Sequence, residues 1–193
     1  MKKPDYYLPP NLEKLRRGGP AIVLPKDAGL VIAQCGLTKN STVLELGSGS
    51  GFMTAQLASI VEKVKTYEKR EEFHKLSMEN AEKLNLTNIE FVLKDVFDGL
   101  DEKENEYDLV FADIPDIDKI SSKAYSFLKK NGYLVGYCLQ SEQAKKLHLE
   151  AEKQFKEVFT IESMNREYDV KEYGFRPKNF GLIYTAYLVF ARK

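Results

Sequence analysis

The stretch Thr42-Val-Leu-Glu-Leu-Gly-Ser-Gly-Ser-Gly-Phe52 decides how this chain folds. Thr42, Val43, Leu44 and Leu46 enclose Glu45 in a short β pattern. Gly47, Gly49 and Gly51 follow, and then Met53, Leu57 and Ile60 recur at helical spacing. Strand, glycine turn and helix in that order bring backbone N–H groups close to a nucleotide-like ligand. Glycine accepts positive φ and leaves no Cβ between backbone and ligand.

Working outward, Asp27 can cap a helix whose stripe is Ala28, Val31, Ile32 and Cys35, closed by Gly36. Downstream, Val64 to Tyr67 read as a strand ending at Glu68, and Arg70 to Asn85 as a helix with Phe73, Leu76, Ala81 and Leu84 inward. A third strand, Ile89 to Leu93, ends at Asp95, and a fourth, Tyr107 to Ala112, follows an acidic loop and ends at Asp113. Ile120, Ala124, Phe127 and Leu128 space as a helix. The Asn131-Gly132 turn precedes a strand from Tyr133 to Leu139. Ala144, Leu147, Ala151, Phe155 and Val158 share a helix face that runs into a strand near 157–169. A polar loop, 171–179, separates it from a last strand, Gly181 to Ala191. Alternating strands and helices predict an α/β fold, a mostly parallel doubly wound sheet with helices on both faces. So short a loop cannot hold a parallel crossover, so the last strand is expected to run antiparallel to its predecessor. Residues 1–24, broken by Pro4, Pro9, Pro10, Gly18, Gly19 and Pro20, read as an irregular arm ahead of one domain, 25–193.

The 193 residues are 43% hydrophobic and 30% charged, which suits one soluble domain with a sizeable core. No apolar run nears the roughly 18–20 residues that span a bilayer, and Met1-Lys-Lys-Pro-Asp has no signal-peptide core, so no membrane partner is expected. Cys35 and Cys138 sit far apart in apolar contexts, which suggests core packing and a reducing cytoplasm. Lys plus Arg equals Asp plus Glu at 29 each, so the chain is not basic all over. Lys2, Lys3, Lys14, Arg16, Arg17 and Lys26 nevertheless make the first segment locally basic, as a solvated arm or a nucleic-acid contact. His74 and His148 stand alone, so no metal site is expected. No nucleophile–His–acid arrangement presents itself.

In an open α/β sheet, ligands sit beyond the carboxyl ends of the strands, and acids stand at or near four ends here: Glu45, Glu68, Asp95 and Asp113. Glu68 lies 21 residues after Gly47, a spacing that suits hydrogen bonds from both ribose hydroxyls of an adenosine. Asp95 can accept from an adenine amino group. An NAD site is the alternative, but Phe52 stands where the dinucleotide fingerprint has its last glycine. With Glu45 ahead of a Gly-x-Gly-x-Gly turn and an antiparallel end strand, the chain resembles the class I S-adenosylmethionine (SAM)-dependent methyltransferases, whose Rossmann-like sheet has seven strands.

Two further stretches narrow the resemblance. They are Ala21-Ile-Val-Leu-Pro-Lys-Asp-Ala-Gly-Leu30 and Gly181-Leu-Ile-Tyr-Thr-Ala-Tyr-Leu-Val-Phe-Ala-Arg-Lys193, the latter preceded by Arg176-Pro177. With the glycine turn and Tyr67-Glu68 they are similar to the archaeal and bacterial tRNA (adenine-N1)-methyltransferases, which modify T-loop adenosines. That resemblance implies SAM as cofactor, tRNA as partner and a homotetramer. It implies that Leu24-Pro25-Lys26-Asp27 lines the SAM pocket and that Gly47, Ser48, Gly49, Gly51 and Phe52, after Glu45, hold the methionyl part. Glu68 with Lys69 would take the ribose, Asp95 with Val96 the adenine. Asp113, in Ala112-Asp-Ile-Pro-Asp116, would face both cofactor and target base as the catalytic group. Tyr173 and Tyr184 are available for base stacking, as is Phe175, and Arg176 with Lys178 for phosphates. The chain departs from the family in three places. It has about two dozen residues where the family has a β-rich N-terminal domain. It has Tyr184-Thr185 in place of a His-Thr segment, and Ile-Pro-Asp-Ile after Asp113 in place of Leu-Pro-x-Pro. Its length also suits the compact precorrin decarboxylating methyltransferases, whose acceptor is a small molecule.

Overall fold

The structure is a computed structural model that describes residues 7–19, 21–178 and 184–193. Met1 to Tyr6, with Lys2 and Lys3, lie outside the described residues, as does the expected start of the last strand at 181–183. Thr42–Leu46 form β1, buried on both faces from Val43 onward. Val43 points into one apolar cluster, while Leu44 and Leu46 point into the other. The same alternation recurs in β4, Tyr107–Ala112, where Leu109 and Phe111 face one way and Val110 and Ala112 the other. A strand with an apolar residue on each face belongs inside a sheet covered on both sides.

That sheet has seven strands. They include β2 (Lys63–Glu68), β3 (Ile89–Leu93), β5 (Leu128–Cys138) and β6 (Glu157–Glu162). Two more strands, β7 (Tyr168–Lys171) and β8 (Gly174–Pro177), stand apart as a hairpin, and β9 is Tyr187–Arg192. The order across the sheet is β3-β2-β1-β4-β5-β9-β6. All contacts are parallel except those of β9, which runs antiparallel to both β5 and β6. The strand order reverses between β1 and β4, and this is where an open α/β sheet opens a ligand crevice. Helices α2 (Pro25–Gln34) and α3 (Phe52–Ala58) pack on one face, with α4 (Glu71–Lys83) beside α3, while α5 (Ser121–Phe127) and α6 (Ser141–Ala151) cover the other. None of the described helices is long and apolar enough to cross a membrane.

Several elements differ from the sequence reading. Helix α2 starts at Pro25 rather than after Asp27, because proline suits the first helical position and holds Leu24 extended before it. Asp27 is therefore not a cap; it is fully buried and pairs with Lys26 Nζ at 2.7 Å. Helix α3 stops at Ala58, which leaves Ile60 exposed in the following turn. Leu128 opens β5 instead of closing α5, pairing with Tyr107. Asn131 (φ 66°) and its neighbours then bulge out before Tyr133 meets Leu109. Phe155 and Val158 lie beyond α6, Val158 within β6. The expected loop 171–179 contains one half of the β7–β8 hairpin, whose exposed residues bear no core-facing pattern. Tyr168 stacks on Phe175 at 5.0 Å across it. The last strand begins at Tyr187, with residues 184–186 irregular.

The lead-in also packs. A short helix, α1 (Pro10–Glu13), carries Leu12, which with Leu15 is buried against Phe52 and Ala55 of α3. The acidic stretch before β4 folds inward at Glu102, which accepts hydrogen bonds from the Tyr67 and Tyr107 hydroxyls and pairs with Lys65 at 2.9 Å.

Candidate active site

The site is built from the carboxyl ends of β1, β2, β3 and β4. After β1 the chain turns tightly: the N–H groups of Gly47 and Ser48 both donate to the Tyr67 carbonyl, at 2.8 and 3.1 Å. Gly47 has φ 93°, and a Cβ on it would stand 2.6 Å from the Asp113 carbonyl oxygen. Only glycine fits there. The turn thus lies against both neighbouring strand ends.

Glu68, at the end of β2, is buried and reaches across to the turn. Its Oε2 accepts the Gly49 N–H at 3.0 Å, and its Oε1 accepts from Arg70 N at 3.0 Å and Arg70 Nε at 3.1 Å. Burial pushes its carboxyl up, but the Arg70 and Gly49 donors outweigh it and hold the group below the usual range. Asp95, two residues beyond β3, accepts the Phe97 N–H at 3.1 Å and Lys69 Nζ at 3.2 Å. Those contacts, the Phe97 N–H first, keep it ionised as well. Asp113 follows β4 and is anchored by its own N–H to the Leu46 carbonyl at 3.0 Å. Burial drives its carboxyl up to about 7, with the Arg70 charge pulling it down and that of Glu68 pushing it up.

A cleft of about 260 Å³ runs between these ends. It collects Gly47, Glu68, Lys69, Asp95, Val96 and Asp113 from the residues expected at the site. Tyr67, Arg70, Lys94, Phe97, Ile114 and Pro115 join them. Of these, Arg70 and Phe97 each stand two residues after a strand-end acid, a position from which a side chain can fold back over the strand end. A second recess, about 370 Å³, shares Asp113, Ile114 and Pro115 with the cleft and continues past Leu139 and Gln143. Asp113 is thus part of the wall between the two.

Other expected residues stand elsewhere. Leu24 and Pro25 begin α2 outside the cleft lining, and Phe52 packs against Leu12 and Leu15. Gly51 (φ 80°) lies against Ser77 of α4. Glu45 sits beneath the turn, fully buried; its Oε2 accepts the hydroxyls of Thr54 at 2.5 Å and Thr66 at 2.6 Å, while Oε1 has no hydrogen-bond partner among the described residues. Burial raises it to about 7 against the pull of those two hydroxyls. Tyr184 is outside the lining of the second recess, but its hydroxyl donates to the carbonyl of Leu139, which does line it, at 2.7 Å. Tyr173 and Arg176 are carried on the hairpin, Tyr173 at its tip and 86% exposed.

A family model for a methyltransferase domain matches residues 37–174. The tRNA (adenine(57)-N(1)/adenine(58)-N(1))-methyltransferase TrmI of Methanocaldococcus jannaschii is 31% identical over 201 residues, covering 88% of this chain and 71% of that protein. The chain belongs to the TrmI family of class I SAM-dependent methyltransferases. The crystal structure of the tRNA (m1A58) methyltransferase TrmI from Aquifex aeolicus superposes with a TM-score of 0.88 at 30% identity, covering 97% of this chain and 77% of that one. A SAM-dependent O-methyltransferase from Thermotoga maritima gives 0.84 at 32% identity, covering 90% and 67%. A precorrin-8w decarboxylase from Methanobacterium thermoautotrophicum, covering 92% and 95%, gives 0.77 at 16% identity and shares the fold alone.

The cleft suits the cofactor of this family. Two ionised carboxylates on adjacent strand ends are acceptors of the kind that ribose hydroxyls and an adenine amino group require, that of Glu68 being shared here with Arg70. Val96, Phe97, Ile114 and Pro115 give apolar walls for a purine, and Gly47, with no Cβ, lines the same cleft.

Proposed function

We propose that the chain methylates N1 of an adenosine in tRNA, in the T-loop. The observation that carries this reading is the place of Asp113, in the wall between the cofactor cleft and the second recess. The identity with M. jannaschii TrmI supports the same acceptor. Glu68 would hold the ribose, Asp95 the adenine, and the turn from Gly47 to Gly51 the methionyl part. Bound there, SAM supplies a methyl group activated on a sulfonium. The chain's own work is positioning: an in-line displacement depends on alignment of the two reacting atoms. Adenine N1 attacks with an in-plane lone pair, and the ring becomes cationic. Asp113 would stabilise that charge and take a proton from the amino group, for which a carboxyl titrating near neutrality is suited.

The target base must leave its stack to reach the recess. Tyr184, bonded to Leu139 of the recess, and Tyr173 on the hairpin offer stacking surfaces, and Arg176 a phosphate contact. The hairpin's exposed Val170 and Phe175 offer a surface for further copies of the chain, in keeping with a homotetramer acting in the cytoplasm.

The deciding experiment is incubation with labelled SAM and bulk tRNA, followed by digestion to nucleosides. Label in 1-methyladenosine is the expected outcome. Binding of SAM with no label in any RNA removes the tRNA assignment and favours a small-molecule acceptor.

A further inference from the structure

The carboxylate at the end of β2 is already occupied. Glu68 Oε1 accepts the Arg70 backbone N–H at 3.0 Å and Arg70 Nε at 3.1 Å. Its Oε2 accepts the Gly49 N–H at 3.0 Å and has Arg70 Nη2 at 3.4 Å. A carboxylate offers about four lone-pair positions. Both positions on Oε1 are filled. One on Oε2 is filled at full strength, and the guanidinium reaches the other at longer range. Two ribose hydroxyls need two acceptor positions, so something must leave.

The two backbone donors are fixed, one by the glycine turn and the other by its place as the N-cap of α4. The Arg70 side chain is not. It is half exposed, lies over the Phe73 ring at 4.1 Å and lines the cleft itself. Its contact with Glu68 is therefore the one that can open without unfolding anything.

We infer that Arg70 is a built-in competitor for the ribose-binding carboxylate and so sets the affinity for the cofactor. In the free protein the guanidinium holds Glu68 ionised and aimed along the cleft. On binding, one ribose hydroxyl takes the place of Arg70 Nε on Oε1 and the other that of Nη2 on Oε2, and the arginine turns away. Arg70 acts here as a positioning residue. The inference rests on the cofactor and on Glu68 meeting its ribose; it stands whatever receives the methyl group.

Titration calorimetry with S-adenosylhomocysteine tests it without any acceptor. Arg70→Gln is expected to bind about fivefold more tightly than the wild type, the worth of one half-exposed ion pair that no longer has to break. In a Glu68→Gln background the same change is expected to alter affinity less than about twofold, because the partner it competes for is gone. Arg70→Lys keeps the charge but loses the planar fork, and it should fall between. Unchanged or weaker binding by Arg70→Gln, with a wild-type melting temperature, overturns the proposal. A structure of the complex provides the second reading: a guanidinium still on both Glu68 oxygens beside a bound ribose also overturns it. If the wild type binds no S-adenosylhomocysteine at all, the cleft assignment fails and this inference with it.

Discussion

Asn80, fully buried on α4, donates from Nδ2 to the Ser50 carbonyl at 2.8 Å. The same nitrogen donates to the Arg16 carbonyl at 2.7 Å, and Oδ1 accepts the Arg16 N–H at 2.9 Å. One side chain thus ties the glycine turn to the segment that follows α1. Ser77, three residues earlier on α4, brings its Oγ within 3.4 Å of Ser48 Oγ. The glycine turn is held from beneath by α4, and the arm is fastened to the same point.

Asn80→Ala should therefore affect stability and binding together. It leaves the buried Ser50 carbonyl unpaired, at about 1–3 kcal/mol, and removes the partner of both part-buried backbone groups of Arg16, which water can partly replace. A loss of about 3 kcal/mol in urea unfolding is expected, with S-adenosylhomocysteine bound at least tenfold more weakly. An unchanged denaturation midpoint would show that water replaces the amide and that the tie is unimportant.

The glycines of the turn should respond unequally. A Cβ on Gly47 would stand 2.6 Å from the Asp113 carbonyl oxygen and 2.8 Å from Ile114 Cγ2, whereas one on Gly49 meets nothing within 4 Å among the described residues. Gly47→Ala must push β1 and β4 apart at the switch point. Gly49→Ala carries only the strain of a positive φ, about 1–2 kcal/mol. Thermal melts of the free proteins should show Gly47→Ala several degrees below Gly49→Ala. Equal melting temperatures would refute the close-approach account.

Much of the site was legible because its residues sit where chain order places them. Glu68, Asp95 and Asp113 stand at strand ends, and a doubly wound sheet puts successive strand ends along one edge. The antiparallel end strand was expected from a loop of nine residues, yet the connection from β6 to β9 runs from 163 to 186 and carries the β7–β8 hairpin; what held was that it contains no helix among the described residues to make a parallel crossover. Contacts made by long side chains folding back, such as Arg70 on Glu68, leave no periodic trace. Nor did the hairpin, since Tyr168, Val170, Phe175 and Pro177 share a face that has no core beneath it. Asp27 looked like a helix cap, and only the approach of Lys26 explains its burial.

Glu45 gives a pH test of stability. Its folded value of about 7 lies above the ordinary 4.5. Between those values the native state holds a proton that the unfolded chain has released, so this group's contribution is full below about pH 4.5 and is lost as pH rises through 7. Glu45→Gln removes the titration. The stability of Glu45→Gln relative to wild type should climb with pH by roughly 3 kcal/mol at most between pH 4.5 and 8. A difference that stays flat with pH would mean that the buried carboxyl does not titrate in this window.

Lys26 and Asp27 form a buried pair whose disruption should be costly. Lys26 Nζ bonds Asp27 Oδ1 at 2.7 Å, the Ser163 carbonyl at 2.5 Å and Thr185 Oγ1 at 2.7 Å, joining α2 to the segments after β6 and before β9. Lys26→Met leaves a carboxylate with 0% exposure and no cation, a loss of about 3–5 kcal/mol. Adding Asp27→Leu should restore most of it. If the double variant is as unstable as the single one, the lysine matters for the strand junction it spans and not for neutralising Asp27.

Asp113 should govern the pH dependence of transfer. Its carboxyl titrates near 7 in the free protein, and only the ionised form stabilises a cationic base or accepts its proton. With tRNA as acceptor, kcat/KM is expected to rise with pH and level off above about 7. Asp113→Asn keeps the shape of the wall but removes the charge. It should lower the rate by about 10²–10⁴-fold and abolish the rise, while S-adenosylhomocysteine affinity stays within a few-fold. The pairing of the two readouts matters. A rate lost together with cofactor binding would make Asp113 a cofactor residue alone, and a rise with pH that survives in Asp113→Asn would place the titrating group elsewhere, with Glu45 the other carboxyl raised to about 7.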